Sequence, residues 1–134
     1  MGVLYSHPDV LDNGPAELLK TNQVAVLKAY ALADSHATVT AGANIVLTEA
    51  VTGGDMSLSN HETHDRKWQC NGKAGVISLI DTENTDDLHI AYIDTLTSRV
   101  LYVTDEITDQ EITAGNPVDV PAGEYRSLQP TAVA

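Results

Sequence analysis

The chain has no phenylalanine, one cysteine, one tryptophan and seven basic residues against nineteen acidic ones. Each scarcity excludes something. With Cys70 alone, no internal disulfide forms, and folding suits a reducing cytoplasm. The net charge of −12 repels nucleic acid and anionic membranes, and the scattered Lys and Arg offer no basic patch to reverse that sign. Neither nucleic acid nor membrane is therefore an expected partner. No run approaches about 18 uninterrupted apolar residues, so no transmembrane helix is expected. Residues Met1 to Pro8 lack a basic start and a long apolar stretch, so they do not read as a secretory signal. Gly2 followed by Ser6 is a weak acylation pattern, and an ordinary initiator segment is the simpler reading. Without Phe, the interior must be filled by Val, Ile, Leu, Ala and Thr, which suits thin β layers.

What is present fits one domain of 134 residues, 1–134, with enough apolar content (43%) for a single core. Apolar and polar residues alternate through Lys73–Ile80, Leu88–Ile93 and Arg99–Thr104, a pattern that makes a sheet with one buried face. Ile90–Ile93 and Val100–Val103 flank a tight turn at Asp94–Ser98 and should pair as an antiparallel hairpin, with Arg99–Thr104 inside the sheet. Met56–Ser59 and Val118–Val120 add short strands, and Asn44–Val51 is a further apolar segment. Gln23–Tyr30 reads as strand, with helix the alternative, and Ala33–Gly42 as loop or short helix. Pro8 can open a helical turn and Pro15 a short helix to Lys20, with Asn22 a stop. The fold class that follows is mainly β: a single-domain antiparallel sandwich or flattened barrel with one short N-terminal helix. An extended arm (about 1–7) precedes it and a polar tail (about 126–134) follows. Val3, Leu4 and Tyr5 read as the edge segment able to pair with a neighbour.

No assembled catalytic motif is legible, and neither enzymatic activity nor a cofactor is expected. His61-x-x-His64-Asp65 is the best metal candidate, but it is one residue short of the zinc-hydrolase spacing, and no third ligand or base stands beside it. His36 or His89 would join it only through folding. A surface polar loop is the reading adopted. The acidic loop Asp81–Asp87 lacks the central Gly of a calcium loop and reads as a solvated turn. Gly53-Gly-Asp55 has no following Lys-Ser/Thr and reads as a turn, not a phosphate loop. Cys70 reads as a packed small residue. Trp68 reads as core or interface, with sugar stacking the minority alternative.

Two segments resemble small structural proteins of tailed bacteriophages. The first is Tyr5-Ser-His-Pro-Asp-Val-Leu-Asp-Asn-Gly14, running on to Leu18, Leu19, Lys20 and Asn22. The second is His89-Ile-Ala-Tyr-Ile-Asp94 with Ser98–Thr104 and Ile112–Pro121. The likeness spans both ends in order, while Pro15 and the stretch containing His61–Asp65 depart from it. It implies a virion component made in the host cytoplasm and placed on the capsid surface. Its expected role is that of a decoration (cement) protein that stabilises the head by bridging major capsid protein subunits. The expected partners are that protein and the chain itself, as a homo-oligomer such as a trimer. A tail or head-fibre subunit is the alternative, and a metal-dependent binding module using His61, His64 and Asp65 a second.

Overall fold

The computed structural model describes residues 4–60 and 66–127, and these are mainly β. The chain opens with a two-residue strand, β1 (Tyr5–Ser6), and then makes two successive helical pieces, α1 (Pro8–Asn13) and a 3-10 helix (Pro15–Lys20). Each begins on a proline, whose missing N–H is not needed there. His7 caps α1 by accepting from the Asp9 N–H through Nδ1 (3.0 Å). Between the pieces Gly14 takes φ +78°, in the left-handed region that favours glycine, and its N–H reaches the Val10 carbonyl (2.8 Å). The helix expected from Pro15 thus has the tighter 3-10 form, and the turn expected at Pro8 extends to a helix of six residues. Only Leu18 of the Leu18-Leu19 pair is buried.

The remaining strands are β2 (Gln23–Leu27), β3 (Ile45–Ala50), β4 (Met56–Asn60), β5 (Arg66–Cys70), β6 (Lys73–Ile77), β7 (His89–Asp94), β8 (Arg99–Thr104), β9 (Pro117–Val120) and β10 (Gly123–Ser127). They form antiparallel sheets in the orders β1-β8-β7-β2-β3, β10-β5-β4 and β6-β9. A short helix, α2 (His36–Val39), lies between β2 and β3, where loop or short helix was expected. Its Ser35 cap accepts from the Thr38 N–H (3.2 Å).

The five-stranded sheet is buried on both faces, not on one as the alternation suggested, and every residue of β7 is buried. One face supplies Val24, Val26, Ile90, Tyr92 and Leu101 to the larger core, opposite Trp68 and Cys70 of β5 and Val118 and Val120 of β9. The other face supplies Ala25, Leu27, Ala91, Ile93 and Val103 to a second core, covered by Tyr30, Val39 of α2 and Tyr5. Strand alternation makes this division in β2 and β7, and two bulges alter it in β3 and β8. Register shifts between Val26 and Leu27 and between Tyr92 and Ile93 leave Val46 and Leu101 as the extra residues. A bulge turns two consecutive side chains to one side. Val46 and Leu47 therefore both enter the larger core, and Tyr102 packs against it beside Leu101.

Two expectations need correction. The strand from Lys73 ends at Ile77, and Ile77 and Leu79 are exposed. Arg126, expected in the tail, instead belongs to β10, where it faces Lys67 of β5, while Ser127 faces Arg66.

Candidate functional site

Of the residues expected to form an assembly edge, Tyr5 lies at the margin of the five-stranded sheet. Tyr5 pairs with Val103 and Ser6 with Tyr102, so β1 is the outermost strand and β8 lies inside, as expected. The Tyr5 ring packs against the second core, 6.4 Å from the Tyr30 ring, and burial pushes its phenol up. Leu4, just before it, is 61% exposed. Val3 lies outside the described residues. At the opposite margin the Leu79 N–H donates to the Val46 carbonyl of β3 (2.6 Å), which occupies part of that edge. The two margins therefore differ: one is partly covered by the chain, and the other ends in a two-residue strand.

An ionic cluster near this margin went unforeseen. Arg99, at the start of β8, donates through Nη1 to Asp9 Oδ2 and Glu17 Oε1 (2.7 Å each), through Nη2 to Asp94 Oδ2 (2.9 Å), and through Nε to Thr97 Oγ1 (2.6 Å). Lys20 Nζ adds a 3.0 Å contact to Glu17. Glu17 and Asp94 are buried. Hydrogen bonds from Arg99 and Lys20 hold the Glu17 carboxyl below its usual range. Burial pushes the Asp94 carboxyl up, but hydrogen bonds from Arg99, Thr97 and the Leu96 N–H outweigh it and hold it below. The same partners, Glu17 first, raise the Arg99 guanidinium further above its already high value. The geometry clamps α1, the 3-10 helix and the β7–β8 turn together. The sequence signal available was Asp94 facing Arg99 across the hairpin; nothing local announced Asp9 or Glu17.

His61, His64 and Asp65 lie outside the described residues. The acidic loop is a set of turn caps: Asp81 Oδ1 accepts from the Ala114 N–H and Asp86 Oδ2 from the Glu83 N–H (2.8 Å each). Gly53-Gly-Asp55 is a 3-10 turn closed by a reciprocal Thr52–Asp55 cap, and Lys73 Nζ pairs with Asp55 at 2.8 Å. Cys70 is buried, and burial pushes its thiol up to about 11, far from a thiolate nucleophile. Trp68 is fully buried, with Tyr92 edge-on at 5.0 Å, so it is a core residue with no face for a sugar. Its Nε1 has no hydrogen-bond partner, and its ring also packs edge-to-face with Tyr102 (centroids 6.4 Å). Folding does bring His89 between two carboxylates: Asp87, His89 and Asp105 each place a ligand atom within 4.8 Å of the others.

Three of the seven basic residues, Arg66, Lys67 and Arg126, gather at one end of the β10-β5-β4 sheet. Strand pairing thus concentrates cations that are scattered along the chain. Among the described residues, no helix is long and apolar enough to cross a membrane. Comparison with family models, curated proteins and solved structures finds no match for the chain.

Proposed function

We propose that the chain is a structural subunit of a tailed-bacteriophage virion that decorates the head, bridging neighbouring major capsid protein subunits as a cement protein. The observation that carries this reading is the sheet margin at β1. A two-residue outer strand preceded by an exposed Leu4 leaves an edge able to pair with another strand. The resemblance of both chain ends to small phage structural proteins supports it. So does the internal engagement of Arg99, Glu17, Asp94 and Asp55, which makes these groups structural. A small domain repeated at every joint of a shell gains strength from repetition, even where each contact is modest. The net charge of −12 keeps such a domain away from packaged DNA.

The test is to mix purified protein with expanded capsids and measure occupancy by electron microscopy, for the full chain and for a version lacking Met1–Leu4. The truncation stops before Tyr5 because Tyr5 is paired with Val103. The full chain should occupy the lattice, and the truncated one should lose occupancy while melting at the same temperature. Full occupancy after truncation removes the arm from the reading. Failure of the full chain to bind any head overturns the cement assignment and puts a tail or head-fibre position first.

A further inference from the structure

Two acidic loops far apart in sequence meet in the fold. Residues 81–87 and 105–111 carry four carboxylates each and no Lys or Arg. They are tied by the Thr82–Ile112 bridge, by Thr82 Oγ1 donating to the Gln110 carbonyl (2.7 Å), and by the Leu88 N–H donating to Asp109 Oδ1 (2.8 Å). At their junction lies His89, with no exposed surface, between exposed Asp87 and half-buried Asp105. The β7–β8 hairpin makes this placement. Ile90 faces Thr104, so His89 and Asp105 stand one step further along the same antiparallel pair.

We propose that Asp87, His89 and Asp105 bind a divalent transition-metal ion of the zinc type. Two carboxylates and a neutral imidazole bring a charge of about −2, matched by such an ion, and an imidazole nitrogen selects zinc over calcium or magnesium, which take oxygen. His89 Nδ1 lies 3.0 Å from the Asp87 carbonyl oxygen. A carbonyl only accepts, so a hydrogen bond there places the proton on Nδ1 and leaves Nε2 as the nitrogen that takes a metal. A ligating histidine is normally oriented by just such a bond. The ring is further fixed by Tyr30, 5.5 Å away. Exposed Asp87 leaves the ion open to water, which completes its coordination. The ion would pin the two loops together at the end of the central hairpin.

The experiment is calorimetric titration of the chelator-stripped full chain with Zn²⁺ and, separately, with Ca²⁺ at neutral pH, alongside thermal melting. One Zn²⁺ per chain and a raised melting temperature are expected, with no comparable uptake of Ca²⁺. Asp105→Asn and His89→Gln should each weaken Zn²⁺ binding by at least about tenfold. Because His61 and His64 also offer imidazoles, the double variant His61→Ala/His64→Ala is run in parallel and should bind as the parent does. If buried His89→Gln does not fold, the half-exposed Asp105→Asn decides. Absence of saturable Zn²⁺ uptake, or unchanged uptake by Asp105→Asn, overturns the proposal.

Discussion

Arg99 ties α1, the 3-10 helix and the β7–β8 turn together at one guanidinium, and its removal leaves Asp94 buried without a cation and Glu17 with Lys20 alone. Breaking a buried pair from one side is costly because the remaining charge is uncompensated. Arg99→Met should therefore lower stability at pH 7 by roughly 3 kcal/mol in denaturant unfolding. The pH profile carries a second signature. Both carboxyls are depressed in the folded state, so their contribution is present above the unfolded carboxylate range, near about pH 4, and is lost as pH falls through the folded values. Melting temperature should stay level from about pH 7 to about pH 5 and fall below about pH 4. The gap between parent and Arg99→Met should narrow over the same acid limb. Gly123 poses a steric problem instead. A Cβ at this position would land on the Tyr92 hydroxyl and ring. Gly123→Ala should cost about 2 kcal/mol through overpacking. Adding Tyr92→Phe should recover part of that loss, because the nearest clashing atom is the hydroxyl oxygen; a double-mutant cycle on unfolding free energies measures the recovery.

At the scale of elements, position in the sheet predicts which strands open first. β7 is wholly buried and is paired on both sides, by β8 and β2. β1 has two residues and one neighbour. Hydrogen exchange should find the β7 and β2 amides exchanging only on global unfolding, and the Tyr5 and Ser6 amides exchanging orders of magnitude faster. Comparable protection at both places would contradict this ordering. The β7–β8 hairpin was legible as two alternating runs around a polar turn. Its bulge was not, because Arg99–Thr104 reads as a regular alternation while Leu101 and Tyr102 turn to the same core. The segment Gly123–Ser127 was missed as a strand because it is short and opens on glycine, and its pairing with β5 comes from a partner more than fifty residues earlier.

For the whole molecule, charge is segregated more than composition implies. Two linked loops hold eight of the nineteen acids, while Arg66, Lys67 and Arg126 collect on another sheet. Added salt screens exposed charges of like sign that burial and pairing do not relieve. Thermal stability should therefore rise between about 0.02 M and about 0.5 M sodium chloride, as salt relieves the self-repulsion of a net −12. A falling melting temperature over this range would show that exposed ion pairs outweigh the repulsion.

The sequence by itself determined the class of fold, the positions of most strands, the proline starts of the helical pieces, and the roles of the small turns. These depend on periodicity and on residues within a few positions of one another, such as Thr52 with Asp55 or Asp86 with Glu83. Tertiary structure alone decided which faces were buried. The second core lies under α2 and Tyr5, elements with no pattern that marks them as covers. It alone also decided that Arg99 meets Asp9 and Glu17 across separations of 90 and 82 residues, and that Asp87 and Asp105 flank His89. A charged side chain leaves no periodic trace of a partner that distant. Its partner is set by strand order and register, and these follow from burying the apolar faces of the strands together.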